Sequence, residues 1–142
     1  MADQRKADKE IKVSIPMLPD MELAVSRLAS TLAESIDLDT DKIDEIKMAL
    51  IEACLNSFEH SKSKDQMVHV RFRVKPRELE ITVKDYGVGF DPDGVEEADI
   101  NHAIHSPDKR GWGFKIMKTL MDDVIVSSHP GGTQIRMIKR RD

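Results

Sequence analysis

Val68-His69-Val70-Arg71-Phe72-Arg73-Val74-Lys75-Pro76-Arg77-Glu78-Leu79-Glu80-Ile81-Thr82-Val83-Lys84 alternates apolar and polar residues on both sides of a short polar link. Val68, Val70, Phe72 and Val74 share one side, and Leu79, Ile81 and Val83 share another. A period of two places such residues on one face of a strand, and two such runs joined by a tight link predict an antiparallel hairpin with one wet face.

Toward the N-terminus, Ile11, Val13 and Ile15 repeat the alternation until Pro16 ends it, so a further strand is expected there. The period then changes. Met21, Val25, Leu28, Leu32 and Ile36 recur at steps of three and four, which is the stripe of an amphipathic helix. A turn at Asp37–Thr40 leads to a second helix, capped by Thr40 or Asp41 and running to about Ser61. Beyond the hairpin, residues 86–110 lose all periodicity and contain Gly87, Gly89, Pro92, Gly94 and Pro107, which suits a functional loop or lid. A third helix is expected from about Gly113. Strands at Val124–Val126 and Thr133–Ile138 flank a His129-Pro130-Gly131-Gly132 turn. The order β-α-α-β-β-loop-α-β-β predicts an α+β fold: a two-layer α/β sandwich with a mixed, largely antiparallel sheet. Residues 1–9 form an expected flexible tail, and 10–142 one domain with a lid at about 90–110.

Composition narrows the class. The chain has 142 residues, 39% hydrophobic and 34% charged, which is enough for one globular core and too polar for a membrane protein. No apolar run approaches the ~18 residues of a membrane span, and the charged N-terminus lacks a signal-peptide pattern. The single cysteine, Cys54, excludes an intramolecular disulfide framework and points to the cytoplasm. A net charge of −4 with four Phe, one Tyr and one Trp argues against direct nucleic-acid binding.

Three places break the structural pattern. Met48–Leu55 is apolar nearly all round except for Glu52, so this turn should be well buried. Asn56 and His60 follow at steps of four, each about 40° further round, so the three polar residues share a narrow stripe. A carboxylate in apolar surroundings needs a partner, an ion or a ligand. Glu52 fits a general base and Asn56 a magnesium-binding carbonyl, while a water-capped polar stripe at the domain edge fits equally well. Asp85-Tyr86-Gly87-Val88-Gly89-Phe90 ends a strand with two glycines that permit close backbone approach. An ordinary Asp-Tyr-Gly turn has the same spacing. Neither the GxGxxG nor the Walker pattern is present. Lys109-Arg110-Gly111-Trp112-Gly113 opens the third helix with small residues and cations, suited to an anion at a helix N-terminus. Acids at Asp85, Asp91, Asp93, Glu96, Glu97 and Asp99 precede bases at Lys109, Arg110, Lys115 and Lys118, which fits a lid over phosphate or a solvated hinge. His102 and His105 lack companion ligands for zinc, and no GxSxG motif occurs.

The three sites in this order resemble the boxes of the GHKL superfamily, the histidine-kinase-like ATPases. Glu52-Ala53-Cys54-Leu55-Asn56-Ser57-Phe58-Glu59-His60 is similar to the N box. Asp85–Phe90 and Arg110–Gly113 are similar to the two glycine boxes, and Gly132-Thr133 to the closing Gly-Thr. Trp112 stands where a smaller aliphatic residue is expected. The resemblance covers about residues 10–140 and implies the Bergerat-type ATP-binding fold. At this length the expected branch is the stand-alone anti-sigma-factor serine-protein kinases, without room for a sensor kinase's dimerisation helices. That branch implies an ATP- and Mg²⁺-dependent serine/threonine kinase. It would bind a sigma factor, phosphorylate an anti-anti-sigma antagonist, and form a homodimer, with the apolar edge strand Ile11–Ile15 as one surface. By resemblance, Glu52 takes the proton from the attacking hydroxyl and Asn56 chelates Mg²⁺. Asp85 receives the adenine amine with Thr133 beside it, and Gly87 and Gly89 let the base approach. Gly111 and Gly113 present backbone donors to the phosphates, while Arg110 and Lys109 neutralise the γ-phosphate. The alternative is a non-catalytic ATP-binding module that sequesters a partner.

Overall fold

Alternation along the hairpin becomes two paired strands, and every other strand joins them antiparallel. The structure, a computed structural model, describes residues 8–89 and 110–142, with Arg110 and Gly111 described by their backbone alone. Its elements are β1 (Lys9–Pro16), α1 (Met21–Glu34), α2 (Thr40–His60), β2 (Met67–Lys75), β3 (Glu78–Asp85), α3 (Arg110–Leu120), β4 (Asp123–His129) and β5 (Gly132–Arg140). The sheet order is β1-β2-β3-β5-β4, antiparallel at each described pairing. The expected α+β sandwich is present. β1 begins at Lys9, inside the stretch expected to be tail.

One face of the sheet carries the core. Val68, Val70 and Phe72 from β2 and Leu79, Ile81 and Val83 from β3 are buried, as are Ile135 and Met137 from β5. The helices cover this face, with α2 packed against both α1 and α3. Ile46, Ala49, Leu50, Ala53 and Cys54 are the fully buried positions of α2. Met48 is 55% exposed, so the turn expected to be buried all round keeps one open side. Helical periodicity explains this: Met48 lies about 100° from Ala49, outside the packed stripe. Similarly, the apolar residues of β1 do not face solvent. Ile15 is buried and Ile11 and Val13 pack against the core, so what this edge offers is backbone rather than apolar surface.

Two helix starts differ from expectation. Asp39, not Thr40 or Asp41, caps α2: its backbone is extended and its carboxylate accepts from the Lys42 N–H at 2.8 Å. Thr40 and Asp41 are already helical, and only the residue just before the helix can turn its side chain back to an unpaired N–H. The third helix starts at Arg110 rather than near Gly113. Apolar periodicity marks where packing begins, and glycine's poor propensity hides the helix start at Arg110-Gly111.

The far end of the fold is tied by Lys139, which is 5% exposed. Its ammonium donates to Glu45 Oε2 of α2 at 3.0 Å and to the Leu120 carbonyl at the end of α3 at 2.5 Å. A buried cation with a carboxylate and a helix C-terminal carbonyl is satisfied on both counts. Phe72 lies at the centre of the core with no exposed surface. Truncation to alanine should cost about 3–5 kcal/mol. Equilibrium urea unfolding of Phe72→Ala checks this through its midpoint.

Candidate active site

The end of α2, the end of β3 and the β4–β5 turn meet at one corner of the sandwich. Asp85 is the buried centre of this corner, only 2% exposed. Its Oδ2 accepts from Ser57 Oγ of α2 at 2.6 Å, and its Oδ1 accepts from the Gly87 N–H at 2.9 Å. A carboxylate has about four acceptor positions, so lone pairs remain for a ligand donor. Thr133 is the register partner of Asp85 on β5, and its hydroxyl bonds Ser128 Oγ at 2.7 Å.

The glycines here answer to protein backbone. A Cβ at Gly87 would lie 1.9 Å from the Ser61 carbonyl oxygen, and one at Gly89 would lie 1.9 Å from that of His129. Gly89 also has a φ of 72°. The Val88 N–H donates to the Ser61 oxygen at 2.7 Å, so the strand exit is clamped between α2 and the β4–β5 turn. The close approach expected of these glycines is thus made to the chain itself.

α2 places Glu52 and Asn56 one turn apart. Asn56 is 9% exposed. Burial, and secondarily Glu59, pushes the Glu52 carboxyl above its ordinary range. A Cβ at Gly113 would lie 3.5 Å from Glu52 Oε2, so the carboxylate faces the first turns of α3. His60 sits a turn beyond Asn56 with its Nε2 3.7 Å from Glu59 Oε2. Burial, with the Glu22 carboxylate, pushes the Cys54 thiol up to about 12, which leaves it protonated and inert.

Of the expected site residues, Asp85, Gly87, Gly89 and Thr133 gather at this corner, Asn56 adjoins it beside Ser57, and Glu52 and Gly113 approach each other between α2 and α3. Arg110 and Gly111 are placed by backbone at the start of α3. Lys109, Phe90, His102 and His105 lie outside the described residues. Among the described residues, no cluster of three or more His, Cys, Asp or Glu could hold a metal unaided. That donor set fits Mg²⁺ carried with phosphates, since Mg²⁺ keeps several waters and takes one or two protein oxygens. Ser57 and the Ser61 carbonyl make contacts of this corner that the helical stripe does not reveal. Ser57 lies about 100° from Asn56, and its one signal is a hydroxyl in a buried helical turn.

Comparisons with known proteins agree on the fold. A model of the histidine kinase-like ATPase domain matches residues 15–139. The serine-protein kinase RsbW of Bacillus subtilis is 32% identical over 130 residues, covering 87% of this chain and 81% of that protein. The anti-sigma F factor of Clostridium acetobutylicum is 34% identical over 115 residues, covering 78% and 79%. Among solved structures, the RsbU and RsbW domains of a Mycobacterium tuberculosis protein superpose with a TM-score of 0.68 at 16% identity. That match covers 93% of this chain and 32% of that longer one, and at this identity it speaks to fold alone.

The corner makes two predictions. Gly87→Ala should destabilise by about 1–3 kcal/mol or more, because backbone must move. Gly113→Ala meets only ordinary contacts and should leave stability unchanged or raise it by up to about 1 kcal/mol. Thermal unfolding of the pair checks the opposite signs. For Glu52, a carboxyl raised in the folded state carries no penalty below the ordinary range near pH ~4.3. As pH rises through the folded-state value, the ionised form costs stability. Glu52→Gln should therefore be more stable than wild type at pH 7, with the difference vanishing in acid. Urea midpoints across pH measure it.

Proposed function

The chain belongs to the histidine kinase-like ATPase domain family, and from that membership we propose an ATP-dependent serine/threonine protein kinase that is also an anti-sigma factor. It binds a sigma factor and phosphorylates an anti-anti-sigma antagonist. Relatives with both kinds of name, each matched over more than three-quarters of its length, support this reading. The observation that carries the chemistry is Glu52: a carboxyl held above its ordinary range, one helical turn from buried Asn56 and facing the start of α3.

When bound, ATP with Mg²⁺ supplies the transferable phosphoryl group and neutralises part of its charge. The residues of this chain position and protect that group. Asp85 accepts the adenine amine through the lone pairs that Ser57 and Gly87 leave free, with Thr133 alongside. Asn56 offers its side-chain oxygen to Mg²⁺. Backbone N–H groups at Gly111 and Gly113, in the first turn of α3, would donate to the phosphates, and Arg110 and Lys109 would add positive charge. Glu52 takes the proton of the partner's attacking hydroxyl. Its raised carboxyl is suited to this work, because a base is most effective near the operating pH. The lid expected at about 90–110 lies, up to residue 109, outside the described residues. No described helix is long and apolar enough to cross a membrane. The outer edge of β1, unpaired among the described residues, is the surface we assign to homodimerisation.

Phosphate transfer from γ-labelled ATP to the antagonist separates kinase from passive binder. Glu52→Gln should lower the transfer rate by about 10²–10⁴-fold, the usual worth of a general base, while nucleotide affinity stays within a few-fold. Equal transfer by wild type and variant would remove Glu52 from the mechanism.

A further inference from the structure

The face of the sheet away from the helices carries charge that the described residues do not neutralise. Buried Glu80 of β3 lies 3.7 Å from its register partner Arg73 of β2 and pairs diagonally with Arg136 of β5. In the next row, Lys12–Arg71–Thr82–Arg136, only Arg136 reaches that carboxylate. Lys12 of β1 is the register partner of Arg71 of β2, and Arg71 faces Thr82. Arg71 makes no hydrogen bond or ion pair among the described residues. Lys84, further along β3, lies over the Tyr86 ring at 4.9 Å and has no acid partner there. Lys12 has only a solvated contact with Glu10 at 3.5 Å. Like charges opposite one another across strands destabilise a sheet, so this row is not explained by folding.

These residues line a cavity of about 350 Å³, together with Ser14, His69, Val70, Thr82 and Gln134, and no acid lines it. One wall is held rigidly. His69 Nδ1 meets Ser14 Oγ at 2.7 Å and Nε2 meets Asp65 Oδ2 at 2.9 Å, while Asp65 also accepts from Ser63 Oγ and the Met67 N–H. The imidazole stands edge-on to Tyr86, ring centroids 5.3 Å apart.

We propose that this groove docks an acidic, extended segment of a protein partner, with carboxylates meeting Lys12, Arg71 and Lys84. The cations spread over three strands about 4.8 Å apart, too wide for one phosphate. They suit carboxylates on alternate residues of an extended peptide, about 7 Å apart. Ser14, Thr82 and Gln134 supply neutral hydrogen-bonding groups between the charges. A second copy is disfavoured because the same face would meet itself, positive against positive. Single-stranded nucleic acid would find one aromatic ring, already flanked by His69 and Lys84, on a chain of net charge −4. Tyr86 and Lys84 flank Asp85 in sequence, and alternation sends their side chains to the opposite face, so the groove lies back to back with the corner site.

Fluorescence anisotropy of a labelled short polyglutamate peptide at low salt tests the assignment. Wild type should bind, salt should weaken binding, and Arg71→Glu with Lys84→Glu should weaken it about tenfold or more. Lys118→Glu, on exposed α3 surface, should change it by less than about twofold. Arg71→Glu creates an opposite-charge pair with Lys12, so its melting temperature should equal or exceed that of wild type. Should the doubly reversed chain not fold, Arg71→Gln with Lys84→Gln carries the same comparison. Nucleotide binding measured alongside should be unchanged, which separates failure here from failure of the kinase reading. Equal loss in Lys118→Glu, no binding by wild type, or Arg71-dependent binding of DNA or inorganic phosphate in preference to the peptide would overturn the proposal.

Discussion

Much of this molecule depends on how one buried carboxylate is held. Asp85 ends β3 inside the sandwich, where an unpaired charge would be prohibitive. The Ser57 hydroxyl and the Gly87 N–H satisfy it, and in doing so they join the helix layer to the sheet at the corner where the site forms. The chain must then turn back at once, and it does so against the Ser61 carbonyl with no room for a side chain at position 87. A hydrogen-bonding need and a steric limit thus set the same few residues.

α2 links that corner to the chemistry. Its buried side, with Ala49, Leu50, Ala53 and Cys54, fixes its rotation against the sheet. Rotation fixed in this way presents Asn56 and Ser57 inward and leaves Glu52 half-covered, facing α3. The carboxyl is raised by the burial that packing imposes, so its chemical character follows from the core rather than from a dedicated partner. On the opposite face of the sheet, Glu80 satisfies Arg73 and Arg136, while Arg71 and Lys84 have no acid partner among the described residues. That contrast within a single sheet separates structural charge from charge that is available to a partner.

Element types were legible along most of the chain because periods of two and of three to four report burial directly. The hairpin Val68–Lys84 and the stripe Met21–Ile36 carry such signals. Boundaries were less legible where no packed face marks them: the cap at Asp39 and the helical turn at Arg110–Gly113 are set by backbone hydrogen bonding. The open side at Met48 and the inward-facing β1 follow from helix rotation and strand orientation, which composition does not report. Glu52, Asn56 and Asp85 stood out because each is a polar residue interrupting an apolar pattern. Ser57 did not, since one hydroxyl beside an asparagine disturbs no periodicity.

By itself, the order of residues determined the α+β class, the antiparallel hairpin and the candidate polar groups, because secondary structure and burial follow local spacing. Only the tertiary structure decided what each group touches. It made Ser57 the partner of Asp85 and gave Gly87 and Gly89 their neighbours in the Ser61 and His129 carbonyls. It also brought Lys12, Arg71 and Lys84 from three strands into one groove. Such contacts join residues far apart in sequence, and their distances are set by packing and register, which no local pattern encodes.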